Sequence, residues 1–170
     1  MIDLLTIEEA EKLPPEILQC KAPKNFDGYI DKENRNCHWW LRSPGLYSRD
    51  AAIVGSSGAV YDYSSNVYLD NIAVRPALRS EEPLIKTLQK TEKGCVKYLG
   101  TTWIDISDYL GYQCLLKKKC LKKPHRFDAK SNNYDSSEVK KFIEGWYRKK
   151  LKKNIGEKRS HDKGGGNKEK

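Results

Sequence analysis

Residues 51–75 read AAIVGSSGAVYDYSSNVYLDNIAVR. Short β-favouring runs at 52–54, 59–63, 67–69 and 72–75 alternate with polar turns at Gly55-Ser56-Ser57-Gly58, Ser64-Ser65-Asn66 and Asp70-Asn71. Runs of three to five Val, Ile and Tyr residues are too short for helices, and turns this tight suit neighbouring antiparallel strands, so the stretch predicts a β-meander. Pro76 has no amide hydrogen to give to a ladder, so it ends the last strand or sets it at an edge.

Upstream, His38-Trp39-Trp40-Leu41-Arg42 is a further strand, stopped by Ser43-Pro44-Gly45. Trp39 and Trp40 read as core, and Arg42 as half of a buried ion pair. Residues 20–36, with Pro23, Asn25, Asp27, Gly28, Asn34 and Asn36, read as loop. Thr6-Ile7-Glu8-Glu9 is a capping box opening a helix over 7–13, which Pro14-Pro15 closes. Downstream, 94–105 and 109–116 are strand-like. Asp135 with Glu138 caps a second helix, on which Val139, Phe142, Ile143, Trp146 and Lys150 share a face.

The net charge of +9 is concentrated at one end. Residues 140–170 hold twelve Lys/Arg against four Asp/Glu, leaving +1 for everything before them. The Gly-, Lys- and Glu-rich stretch 154–170 predicts a disordered basic tail. No apolar run approaches the roughly 20 residues that span a bilayer, and the acidic start lacks a signal-peptide pattern, so a cytoplasmic protein with no membrane partner is expected. Five cysteines, an odd number at irregular spacing, argue for reduced thiols over a disulfide framework.

Two stretches resemble a known family. Leu4-Leu5-Thr6-Ile7-Glu8-Glu9-Ala10, Trp39-Trp40-Leu41-Arg42-Ser43-Pro44-Gly45 and Val74-Arg75-Pro76-Ala77-Leu78 are similar to motifs of DUF6273, an uncharacterised bacterial and phage domain related to C-type-lectin-like and formylglycine-generating-enzyme-like folds. Trp103-Ile104-Asp105, Leu115-Leu116, Arg126-Phe127-Asp128 and Ser131-Asn132-Asn133-Tyr134 resemble the same family, but there that block precedes the other. The resemblance divides the chain into 1–80, like the family's C-terminal half, a connector at 81–93, 94–153, like its N-terminal half, and the tail at 154–170. It implies an α+β, C-type-lectin-like domain with a small twisted antiparallel sheet and two flanking helices. The domain is either circularly permuted or made of two half-domains that need an oligomer to complete their cores.

In lectin-like folds the segment corresponding to 43–75 displays a ligand-binding face. Here it carries Tyr47, Asp50, Ser57, Tyr61, Tyr63, Asn66, Tyr68, Asp70 and Asn71. Tyr offers contact area at low entropic cost and Ser and Asn adapt their hydrogen bonds, which suits a face for a protein or glycan-like ligand. The same composition also serves strands and turns for their own sake, and the sequence leaves both readings open. A rival surface lies in the basic residues Lys118, Lys119, Lys122, Lys123, Arg126, Arg148, Lys149, Lys152 and Lys153. They suit nucleic acid or an acidic partner, or simply a solvated helix face.

No catalytic set is expected: there is no Gly-x-Ser-x-Gly, no phosphate-binding glycine loop and no His-Glu-x-x-His. Asp62, Asp70 and Asn71 lack the alternating carboxylates of a calcium loop. Cys114, Cys120 and His125, with Cys95 or Cys37, lack zinc-ligand spacing. No metal or cofactor is expected.

Overall fold

The computed structural model describes residues 1–80, 88–91 and 93–162, with side chains throughout except at 63, 64 and 158–162. The chain begins with strand β1 (Ile2–Asp3) and helix α1 (Ile7–Glu11), where Thr6 and Glu9 form the expected capping box. α1 ends at Glu11, two residues short of the expected 13 and ahead of Pro14-Pro15, and Pro15 then opens a second short helix, α2 (Pro15–Leu18), since proline at a first helical position lacks only an amide hydrogen that would be unpaired anyway.

Strands β2 (Trp39–Pro44), β3 (Asp50–Val54) and β4 (Val60–Asn66) form a three-stranded antiparallel meander. The strands expected at 67–69 and 72–75 do not form; Ala73 makes one isolated bridge, to Trp39. Their apolar residues Val67, Ile72, Ala73 and Val74 are buried as irregular chain packed on the sheet, so burial rather than strand pairing explains the apolar pattern. Pro76 stops that run, and β5 (Ala77–Arg79) follows it.

A six-stranded antiparallel sheet in the order β1-β5-β9-β8-β7-β6 completes the fold, with β6 (Gln89–Lys90), β7 (Cys95–Tyr98), β8 (Thr101–Asp105) and β9 (Cys114–Lys117). Most of the connector expected at 81–93 lies outside the described residues, but β6 shows that part of it is strand. The run 109–116 is mixed: α3 (Ser107–Leu110) ends at left-handed Gly111, and only β9 is extended. β5 pairs with β9 through Ala77–Leu116, Leu78–Leu115 and Arg79–Cys114, so strands from 1–80 and 94–153 share one sheet within one chain.

The final helix, α4 (Glu138–Asp162), differs from expectation at both ends. Asp135 lies in a 3-10 turn (Tyr134–Ser136), and the Ser137 hydroxyl instead accepts from the Lys140 amide. At the other end the helix runs through the expected tail to Asp162. Lys, Arg and Glu are good helix formers, and Lys153–Glu157 adds an i,i+4 pair at 3.7 Å, so polarity alone did not imply disorder. Residues 163–170 lie outside the described residues.

The α+β class holds, and the core has two clusters. Leu5, Trp39, Val54, Leu116 and four cysteines belong to one; Leu4, Trp40, Ile53, Leu115, Trp103 and Phe127 belong to the other. Neighbouring residues on a strand point to opposite faces, so β2 and β9 are each covered on both sides. Trp39 and Trp40 are fully buried core residues, as expected. Arg42 pairs with buried Asp3 at 3.2 Å, and the Arg79 guanidinium grips Glu9 at 2.5 and 3.1 Å, tying α1 to β5.

Candidate functional site

An open groove of about 470 Å³ lies where the meander meets the loop before it. Ile53 and Ile72 supply apolar surface; Tyr29, His38, Tyr61, Ser65, Leu69 and Asn71 complete the lining. The positions follow from local structure. The two-residue step from Ala51 to Ile53 of β3 faces a four-residue step from Ser65 back to Tyr61 of β4, so β4 bulges beside the groove. Bulges re-aim side chains and are common at functional rims. The opposite wall is held by backbone bonds from Tyr29 N to Asn71 O (2.9 Å) and from Ala73 N to His38 O (2.8 Å). Gly28 permits that approach, since a Cβ there would sit 2.6 Å from Asn71 O.

His38 meets Tyr29 edge to face, with ring centroids 4.6 Å apart. Burial lowers the His38 pKa below the usual histidine value, only partly opposed by Asp31, so the ring is neutral at physiological pH. A neutral imidazole beside two tyrosines, a serine and an exposed asparagine offers donors and acceptors without net charge.

Of the expected face, Tyr61 and Asn71 line this groove. Asp50 and Asn66 are cross-strand partners at the end of the β3–β4 ladder, near exposed Tyr68 and Asp70. Tyr47 is 66% exposed, and its carbonyl and that of Asp50 both accept from Asn132 Nδ2 at 3.1 Å. Ser57 stands apart, in the turn at the far end of the hairpin, where its carbonyl accepts from Gln19 Nε2. The Tyr63 side chain lies outside the described residues. Tyr29 and His38 were missed because one sat in an apparent connecting loop and the other beside two core tryptophans. The signal for His38 was strand alternation: with Trp39 pointing into one core, its neighbour faces the other side.

The basic residues gather only in part. Lys118 and Lys119 border a pocket with Lys97 and Gly100, and an adjoining pocket at Gly100 is bordered by Lys150 and Lys153. The turn at Leu99-Gly100, with φ of 51° and 67°, thus joins two sequence clusters into one surface. Arg126 is held by Glu138 at 2.6 and 2.8 Å, so its charge is already matched. Arg148 donates to the Glu144 carbonyl on its own helix, while Lys122, Lys123, Lys149 and Lys152 are exposed.

All five cysteines are free and buried. The fold groups Cys20, Cys37 and Cys120, with their sulfurs within 4.8 Å of one another, a set that the spacing in sequence did not suggest. His125 instead stacks on Phe142.

These features describe an α+β domain of two antiparallel sheets with an uncharged, aromatic-walled groove at the rim of the smaller one. Residues 5–80, which include every groove residue, match the family described as Domain of unknown function (DUF6273). No curated protein and no solved structure matches the chain. Among the described residues no helix is long and apolar enough to cross a membrane.

Proposed function

We propose that the domain is a non-catalytic, C-type-lectin-like binding module whose groove between Tyr29, His38, Tyr61 and Asn71 takes a protein or glycan-like ligand. The observation that carries this reading is the groove's lining: apolar surface from Ile53 and Ile72, aromatic rings from Tyr29 and Tyr61, and polar groups from Ser65 and Asn71. Small-ligand and peptide sites share this character, mostly apolar with a few polar groups that fix orientation. Tyr68, next in the chain to the groove residue Leu69, and Tyr47 are further exposed aromatics. We read the domain as circularly permuted: β5 and β9, from its two motif blocks, are neighbours in one sheet of a single chain, as rejoined halves would be. A reducing, cytoplasmic setting suits five buried free thiols.

Glycan and peptide arrays probed with wild type and with Tyr29→Ala and Tyr61→Ala test the groove. The expected result is a ligand class retained by wild type and weakened at least tenfold in both variants. Binding unchanged in folded variants would remove the groove from consideration.

A second reading, binding of nucleic acid or inhibition of a nucleic-acid enzyme, is favoured by the convergence of Lys97, Lys118, Lys119, Lys150 and Lys153 around Gly100. Electrophoretic mobility at low and near-physiological salt separates the two. Phosphate-driven binding falls steeply as salt rises and is lost in a Lys118→Glu, Lys119→Glu, Lys153→Glu variant.

A further inference from the structure

Three remote segments deliver the thiol cluster. Cys20 follows α2, Cys37 precedes β2 and Cys120 follows β9. The Cys37 amide donates to the Cys20 carbonyl at 2.9 Å, and the adjacent bridge Lys21–Asn36 makes the first two cross-strand neighbours. The Cys37 and Cys120 sulfurs are 3.5 Å apart, and all three lie within 4.8 Å of one another. Three thiolates on one ion at about 2.3 Å stand about 3.8 Å apart in tetrahedral and about 4.0 Å apart in trigonal geometry. The one separation of 3.5 Å and the outer limit of 4.8 Å lie on either side of both values.

A second, independent observation concerns charge. Arg75 is fully buried, with its guanidinium 5.0 Å from the centre of the Trp39 ring. It donates to the Lys117, Ile17 and Leu18 carbonyls at 2.8, 2.8 and 3.2 Å, and among the described residues no carboxylate pairs with it. A buried cation without a paired carboxylate is unfavourable, and the thiol cluster lies within its field, as Glu16 lies across the adjoining pocket. Cys20 lies within the field of the Arg75 guanidinium, and the Cys37 thiol bridges its two partners, donating to the Cys20 carbonyl at 3.2 Å and meeting the Cys120 sulfur at 3.5 Å. Lys117 is also within the field of Cys120 and Cys20.

A third observation is access. A pocket of about 230 Å³ is lined by chain neighbours of all three cysteines, Gln19 and Lys21 beside Cys20, Asn36 beside Cys37 and Lys119 beside Cys120, together with Arg75.

We propose that Cys20, Cys37 and Cys120 form a metal site that takes one thiophilic d10 ion, zinc(II) or copper(I), as a tris-thiolate. Soft sulfur donors select such ions, and binding exchanges three thiol protons for one metal without electron transfer. Arg75 alone balances the net charge of a tris-thiolate zinc centre; Arg75 with Lys117 balances a copper(I) one. Zinc would complete its shell with a fourth donor from the pocket, whereas copper(I) is satisfied by three sulfurs.

The full chain, stripped of metal under anaerobic reducing conditions, is titrated with zinc(II) and with buffered copper(I). Native mass spectrometry and X-ray absorption provide the readout. The expected result is one ion per chain with three sulfur neighbours, and a light-atom fourth neighbour in the zinc arm alone. Cys37→Ser and Cys120→Ser should each weaken binding at least a hundredfold, while Cys95→Ser, buried outside the cluster, leaves it unchanged. Arg75→Met should weaken it about tenfold with all three ligands in place. The wild-type sulfur count decides the matter even if a variant fails to fold. No bound ion, fewer than three sulfur neighbours, undiminished binding in a folded Cys37→Ser protein, or a disulfide within the trio in anaerobically isolated protein would each overturn the proposal.

Discussion

The two core clusters are built from adjacent residues yet from different materials. Leu4, Trp40 and Leu115 enter one; Leu5, Trp39 and Leu116 enter the other. The first cluster holds the buried aromatics Trp40, Trp103, Phe127 and Tyr134 and is closed by Val139 and Ile143 of α4. The second, under α1 and α2, is made of Leu, Ala, Val and Ile, Trp39 and four cysteines. Aromatic rings bury much area each and tolerate loss poorly, whereas small residues let polarizable sulfurs and a guanidinium approach one another. One side of the molecule is packed for stability, and the other retains polar groups that stability alone would not select.

The sharpest way to break this contrast is Phe127→Ala. Phe127 is fully buried and meets Trp40 edge to face at 5.6 Å, so its loss should cost about 3–5 kcal/mol in urea unfolding. On the cysteine side Arg75→Met should cost about 2–3 kcal/mol, chiefly by stranding the Ile17, Leu18 and Lys117 carbonyls. Cys114→Ala, in the same cluster but outside the trio, should cost only about 1 kcal/mol. If it matched Phe127→Ala, the distinction between the clusters would be wrong.

Acid titration sharpens the comparison further. Burial lowers the His38 pKa, so its neutral form favours the native state; that contribution is complete above about pH 6.5 and is lost as pH falls through the folded value. Burial alone would raise the Glu9 pKa, but hydrogen bonds from Arg79, Tyr112 and the Thr6 amide outweigh it, so its contribution is lost below the ordinary value of 4.5. Thermal scans from pH 8 to 3 should show two successive losses, the first absent in His38→Gln and the second reduced in Glu9→Gln. The smallest effect, under about 0.5 kcal/mol, belongs to truncation after Leu151, because among the described side chains of α4 the buried ones are Val139 and Ile143 near its start.

Much of this was legible in the sequence wherever a local signal existed. The capping box at Thr6, the β3–β4 hairpin and the apolar face of α4 each rest on residues a few positions apart. Tyr61, in a strand, and Asn71, in a turn, were legible as surface-type residues. What could not be read depends on distant segments meeting. Tyr29 joins the groove only because its amide reaches Asn71. Cys20, Cys37 and Cys120 carry no ligand spacing and become a set only when β9 is laid into the larger sheet. The helix beyond 154 was missed for another reason: a polar, lysine-rich stretch lacks an apolar face but retains helix propensity.

The pairing of β5 with β9 also has a consequence for how the chain is made. As the first 80 residues leave a ribosome, β1 and β5 can pair, but the other edge of β5 waits for Cys114–Lys117. Sheet closure therefore depends on contacts far apart in sequence, which slows folding and leaves an unpaired edge open to other chains in the interval. Synthesis that stalls between β5 and β9 would release a sticky intermediate.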